Sequence, residues 1–198
     1  TALQDIITAF RNGSNWRDVK GVWYKKDGKI IKNGNQPLVD LNQVMPDYSL
    51  YPPERFNRPM GGKIVKSVGV ETYRGCPYQC TFCNSPMQRY LDKNYLRRKS
   101  VDTVKAELTN YVKLYNPNFW FIIDDSFVAR PRKELFQLLK VLKGFNIPWW
   151  CNTRLENIDL EILDAMSEAH CSRITFGIES GDEEYRRKYL LRNVSDEL

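Results

Sequence analysis

The sequence predicts an α/β fold built on a parallel sheet, and three observations carry that prediction. Between residues 63 and 198, four short apolar stretches alternate with four stretches of helical periodicity. Strands met in that order, each followed by a helix rather than a tight turn, pair in parallel through right-handed crossovers. The polar residues that interrupt the pattern fall at the C-terminal ends of successive strands, the edge at which such folds build sites. Four strands cannot close a barrel, so the sheet is either open or a barrel cut short at Leu198.

The elements follow in order. Residues 2–11 place Leu3, Ile6, Ile7 and Phe10 at helical spacing, and Asn12-Gly13 stops the helix. A hairpin comes next, with strands at 21–25 and 29–32 around Asp27-Gly28, a pair suited to the positive φ angles of a primed turn. One helix and one hairpin bury too little to stand alone, so they are the end of something larger or an appendage. Residues 37–62 carry five of the ten prolines and little periodicity, which reads as a linker. Its Leu41, Val44, Met45, Tyr48, Leu50 and Tyr51 lay it along a protein surface. Three segments result: 1–36, 37–62 and 63–198.

The first strand of the third segment spans 64–71, and a cysteine-rich stretch lies just past its end. Ser100 caps a helix in which Val101, Val104, Leu108, Tyr111 and Tyr115 recur at intervals of three and four. Strand 119–123 ends in Asp124-Asp125. Pro131 opens a helix carrying Leu135, Leu138, Leu139 and Leu142 that stops at Gly144. Strand 147–152 leads to Thr153-Arg154, and a helix with Leu160, Leu163 and Met166 follows. Strand 173–178 ends in Glu179-Ser180, and a charged helix covers 182–192. The aromatic run 119–121 and the pair Trp149-Trp150 are expected in the core.

Composition narrows the function. With 42% hydrophobic residues in 198, the chain can bury a core, and it holds neither an apolar run of membrane-spanning length nor a secretory signal. It begins at Thr1, inside the first helix, so it is expected to be a piece of a longer protein. The formal charge of +6 comes from basic residues scattered among 24 acidic ones, the longest basic run being Arg97-Arg98-Lys99. That pattern favours a solvated face over a nucleic-acid-binding stripe. Five cysteines, three of them crowded together, argue against a disulfide framework and for a reduced, cytoplasmic setting.

The crowded three stand in Gly75-Cys76-Pro77-Tyr78-Gln79-Cys80-Thr81-Phe82-Cys83, at C-x3-C-x2-C spacing. Structural zinc usually takes four ligands, typically from two knuckles. Only one cluster is present here. Cys151 and Cys171 lie in or before later strands and read as small buried hydrophobes, and the single histidine, His170, ends a helix. Three thiolates on one loop suit a [4Fe–4S] cluster with one iron left open, which implies chemistry rather than scaffolding.

On these residues the sequence resembles the radical S-adenosylmethionine (radical SAM) superfamily, whose motif is C-x3-C-x-φ-C with an aromatic φ, here Phe82. The strand-end groups Ile123-Asp-Asp-Ser-Phe127, Thr153-Arg154 and Gly177-Ile-Glu-Ser-Gly181 resemble those of the branch that carries an N-terminal cobalamin-binding domain. The resemblance implies that 63–198 hold four of the six βα units of the radical SAM barrel. It also implies that 1–36 end the cobalamin domain and 37–62 connect the two. Cys76, Cys80 and Cys83 would ligate the cluster, and S-adenosylmethionine (SAM) would chelate the open iron. Phe82 would lie near the adenine. Asp124 or Asp125 would receive the methionyl ammonium, although the glycines usual at that turn are missing. Arg154 would pair with the methionyl carboxylate, and Glu179, with Ser180 beside it, would hold the ribose hydroxyls. No single catalytic side chain is implied.

The activity implied is reductive cleavage of SAM to a 5′-deoxyadenosyl radical. Linked to cobalamin, that radical would serve methyl transfer to an unactivated carbon, or an oxidative cyclisation or rearrangement, of a small-molecule substrate. A flavodoxin or ferredoxin would supply electrons. One alternative is a radical SAM methylthiotransferase acting on transfer RNA, which needs further cysteines and an RNA-binding domain that this sequence does not contain. Another is a structural zinc- or nucleic-acid-binding module, which needs a fourth ligand and a compact basic stripe.

Overall fold

The computed structural model describes residues 1–197, which form two compact units, Thr1–Gln43 and Val44–Leu198. In the first, helix α1 (Ala2–Arg11) is capped by Thr1, whose hydroxyl accepts from the Gln4 amide at 3.4 Å. Strands β1 (Trp23–Lys26) and β2 (Lys29–Lys32) make the expected hairpin, with Asp27 at φ +48° and Gly28 at φ +78° as its two turn residues. This unit buries Ala9, Val22 and Leu41 and leaves Trp23 and Ile30 largely exposed.

The second unit starts with a strand that the sequence hides. β3 (Asn57–Met60) pairs antiparallel with β4 (Lys63–Val70) through Gly61-Gly62, both at positive φ. Pro59 makes the segment read as linker, yet an edge strand tolerates a proline, and the Gly-Gly pair was the hairpin signal. Beyond β4, a two-residue strand β5 (Tyr73–Arg74), a short helix α2 (Ser85–Leu91) and the strand β6 (Arg97–Arg98), which pairs with β5, frame the cysteine stretch.

The alternation then runs as expected: α3 (Val101–Tyr115), β7 (Phe119–Ile122), α4 (Arg132–Phe145), β8 (Trp149–Thr153), α5 (Leu160–Glu168), β9 (Cys171–Phe176) and α6 (Glu183–Lys188). The sheet order is β3-β4-β7-β8-β9, and β4, β7, β8 and β9 are parallel. Two helix ends differ from expectation. α4 stops at Asn146, which takes the left-handed conformation, rather than at Gly144, and α6 is confined to six residues behind the cap Asp182.

Val68, Val70, Trp120, Ile122, Trp149 and Cys151 point to the helices and form the core with Leu108, Leu135, Leu138, Leu142 and Met166. Because strands alternate, Phe121 and Trp150 point the other way. Only part of the aromatic run is core, and these two half-buried rings stack on the open face with centroids 4.4 Å apart. In a flat sheet β4 and β9 would stand about 14 Å apart. Instead the Arg173 guanidinium lies 2.8 Å from where a Cβ on Gly61 would sit, so the open face curls on itself as in part of a barrel.

The basic run disperses on folding. Lys99 is buried against Glu107, Arg98 pairs with Glu134 at 3.2 Å, and Arg97 lies over the Tyr95 ring. Among the described residues no helix is long and apolar enough to cross a membrane.

Candidate functional site

The cysteine loop leaves the C-terminal edge of the sheet and is held from several sides. Gly75 sits at φ +91°, and a Cβ there would come within 3.0 Å of Leu96 and Tyr95, so glycine is required at the loop's start. Arg89 of α2 reaches back to donate to the carbonyls of Cys76 (3.1 Å) and Tyr78 (3.3 Å). Thr81 ties the loop to the segment after α6, donating from its hydroxyl to the Tyr189 carbonyl at 2.7 Å and from its amide to that of Leu190 at 3.3 Å. Cys83 Sγ accepts from the Ser85 amide at 3.4 Å. All five cysteines are free thiols: within the loop Cys80 is buried, Cys76 half-buried and Cys83 exposed. Burial pushes the Cys76 thiol up, and nearby Asp125 and Cys80 push the same way.

The two acids after β7 have opposite surroundings. Asp124 is buried. Its carboxylate accepts from the amides of Thr72 (2.7 Å) and Tyr73 (2.9 Å), from the Thr72 hydroxyl and from Arg130 at 2.6 Å. Burial pushes that carboxyl up, against Arg130 and these donors. Asp124 therefore pins the start of the cysteine segment to β7, with its carboxylate taken up by these partners. Asp125 is exposed and accepts from the Ser85 hydroxyl at 2.9 Å, on the same side as Cys76.

Arg154, at the end of β8, is buried and donates to Cys80 Sγ at 3.0 Å. Its guanidinium lies 3.8 Å from the centroid of the Tyr78 ring and is paired with Glu156, while the Tyr78 hydroxyl donates to Asn157. Burial opposes the Arg154 charge, but Glu156 and Cys80 outweigh it and hold the group above its ordinary value. At the end of β9, Glu179 is exposed at φ +71°, with Arg192 at 3.5 Å. Gly177 makes room for it, since a Cβ there would lie 2.4 Å from Glu179 Oε1. The Ser180 hydroxyl accepts from the Asp182 amide at 3.2 Å. Phe82 is 54% exposed.

The structure thus gathers Cys76, Cys80, Asp125 and Arg154, keeps Cys83 in the same loop beside Ser85, and leaves Glu179 and Ser180 on the neighbouring strand end. Among the described residues, no three Cys, His, Asp or Glu side chains are grouped closely enough to hold one metal ion. In a cubane cluster each thiolate binds its own iron, and three free thiols on a braced loop suit that donor set. Sequence reading missed Tyr78, Ser85, Arg89, Arg130 and Glu156. Tyr78 and Ser85 flank the motif closely enough to be suspected, whereas Arg89, Arg130 and Glu156 become visible only when α2 and the loops after β7 and β8 fold back on it.

Residues 70–197 match the Radical SAM superfamily. The chain is 28% identical over 181 residues to an uncharacterized methyltransferase of Pyrococcus horikoshii, an alignment covering 90% of this chain and 38% of that one. It is 27% identical over 189 residues to the anaerobic magnesium-protoporphyrin IX monomethyl ester cyclase of Rubrivivax gelatinosus, covering 90% and 32%. Its fold is similar to that of TsrM, a radical S-adenosylmethionine methyltransferase from Kitasatospora setae solved with a tryptophan substrate and a SAM analogue. The TM-score is 0.72 at 16% identity, over 95% of this chain and 37% of that one. The chain therefore spans between 32% and 38% of the length of these three proteins.

Proposed function

The chain belongs to the radical SAM superfamily, and from that premise we propose that the whole protein cleaves SAM to a 5′-deoxyadenosyl radical and uses it, with cobalamin, to methylate carbon. The observation that carries this reading is the braced loop of three free thiols at the C-terminal edge of the sheet, with the Arg154 cation on Cys80. When bound there, a [4Fe–4S] cluster supplies the electron that breaks a C–S bond of SAM.

The chain's own residues divide the remaining work. Cys76, Cys80 and Cys83 hold the cluster. Arg154 places a positive charge against the Cys80 sulfur and lowers the cost of gathering anionic thiolates and sulfides at one spot. Asp125, rather than Asp124, receives the methionyl ammonium, because its carboxylate is exposed on the side of the cysteines. Glu179 and Ser180 hold the ribose, and Phe82 covers the adenine; the exposure of Glu179 and Phe82 supports both roles. Residues 1–36, within the first unit, are read as the end of a cobalamin-binding domain. The electron donor is a flavodoxin- or ferredoxin-type protein, and the setting is the reducing cytoplasm, in keeping with five free cysteines.

Methyl transfer is supported by the likeness to the Pyrococcus methyltransferase and to TsrM. Oxidative cyclisation stands second, on the Rubrivivax cyclase. The test is anaerobic reconstitution of the full chain. It should bind about four irons, develop the broad visible absorption of a cluster, and lose both in Cys80→Ala. Protein that loads zinc and no iron would sink the reading. Labelled SAM then separates the two chemistries, since only methyl transfer moves the label to the product.

A further inference from the structure

Resting on that reading, we propose that the open face of the sheet beneath the cysteine loop binds the planar, conjugated part of an anionic substrate, with Arg55 and Arg58 receiving its carboxylate. A cavity of about 330 Å³ lies on this face, walled by Tyr48, Tyr51, Arg58, Phe121 and Ile123. Its floor is Gly69. That residue has no positive φ to explain the glycine, and a Cβ there would meet Ile123 Cγ2 at 3.6 Å and the Tyr48 hydroxyl at 3.9 Å. Those are ordinary van der Waals distances, and a methyl there would take up part of the cavity floor.

The walls are fixed before any ligand arrives. The Tyr48 hydroxyl donates to the Gly69 carbonyl at 3.1 Å, its amide donates to the Tyr115 hydroxyl at 3.1 Å, and its ring lies 5.4 Å from that of Tyr111. Phe121 is backed by Trp150, whose indole nitrogen donates to the Thr175 hydroxyl at 2.7 Å. Walls held in this way pay little ordering entropy on binding a flat ring, which favours an aromatic or conjugated ligand.

Charge identifies the rest of the ligand. Elsewhere in this unit Arg74, Arg98, Arg130, Arg132, Arg154, Arg186 and Arg192 each pair with a carboxylate, and Arg89 binds backbone carbonyls, while Arg173 and Arg187 have no carboxylate partner among the described residues. Arg55 and Arg58, at the cavity, pair with none among the described residues. Arg55 lies over the Tyr51 ring at 5.6 Å, and no acidic side chain lines the space. An aromatic cavity rimmed by unpaired guanidiniums matches a ring bearing a carboxylate. Its place suits the proposed chemistry too, because Ile123 in its wall stands two residues before Asp125 in the segment that leaves β7.

The experiment measures binding of 2-naphthoate and of the neutral 2-naphthamide to the full chain by saturation-transfer NMR and calorimetry. Naphthoate should bind about tenfold more tightly than the amide. Arg55→Gln and Arg58→Gln should each remove about threefold of that preference, and the double variant nearly all of it. Ile123→Trp, at a position 44% exposed, should fill the cavity and abolish binding of both probes with the circular dichroism unchanged. Equal binding of acid and amide, or a preference untouched in the double arginine variant, overturns the proposal. Neither iron nor SAM is needed for these measurements. Protein that assembles its cluster and cleaves SAM yet ignores naphthoate defeats this inference alone, and protein that binds naphthoate but no iron defeats only the functional reading.

Discussion

Asp124 and Asp125 are neighbours in sequence and face opposite surroundings, one buried and one exposed. Around Asp124 the polar groups are closed on one another: two amides, one hydroxyl and one guanidinium converge on a carboxylate that water cannot reach. Around Asp125 and the cysteines the groups are left open, with an exposed carboxylate, an exposed Cys83 and a half-buried Cys76. Both acids sit where a strand of a parallel sheet ends, so position alone does not separate scaffold from site. Unspent lone pairs do. The closed network fixes where the loop begins, and the open one is what the loop presents.

The sharpest way to break this comparison is to remove the closed partner. Asp124→Ala leaves the Arg130 guanidinium, whose side chain is 1% exposed, without its close counter-charge and with only the more distant Glu134 at 3.8 Å. A loss of about 3–5 kcal/mol is expected, read by urea denaturation. Asp125→Asn should leave stability within about 0.5 kcal/mol, since an exposed position seldom does more. It should weaken SAM binding by the reconstituted protein about tenfold, because a charge-assisted contact to the ammonium becomes a neutral one. If the two substitutions exchanged these effects, the assignment of scaffold and site would be reversed.

How much of this was legible in the sequence depends on the range of the signal. The alternation of strands and helices, the primed turn at Asp27-Gly28 and the cap at Ser100 are local patterns, and each forms as its residues dictate. The cysteine spacing is local as well, and the loop emerges at the expected edge. β3 was hidden because Pro59 is evidence against a central strand and only weak evidence against an edge strand. The division between Asp124 and Asp125 could not be read at all. Two adjacent acids at a strand end are equivalent until Thr72, Tyr73 and Arg130, distant by as much as 52 residues or as little as six, arrive on one side only.

Arg154 lies between the two regions, buried like Asp124 but turned toward the cysteines. Its guanidinium stacks on Tyr78, and that contact is separable from the hydroxyl's bond to Asn157. Tyr78→Phe keeps the ring and should cost about 1 kcal/mol of stability in chemical denaturation. Tyr78→Ala also removes the cation–π contact, for a further cost of about 1–2 kcal/mol, and frees Arg154 from Cys80. The cluster absorption of the alanine variant should then bleach faster in air than that of the phenylalanine variant. Equal bleaching would mean that the ring does not position Arg154.

The smallest expected effect tests how open the open region is. Ser85 donates from its hydroxyl to Asp125 and from its amide to Cys83 Sγ, and Ser85→Ala deletes only the first. Because Asp125 is exposed, water replaces the lost donor, and stability should change by less than about 0.5 kcal/mol. Orientation is another matter. A carboxylate free to rotate must be ordered again when it binds an ammonium, so SAM affinity should fall by about two- to threefold, measured by equilibrium dialysis on the reconstituted protein. A fall as large as that of Asp125→Asn would mean that Ser85 holds the acid as firmly as Thr72 and Arg130 hold Asp124. The open region would then be as preorganised as the closed one, differing from it only in the face left toward the ligand.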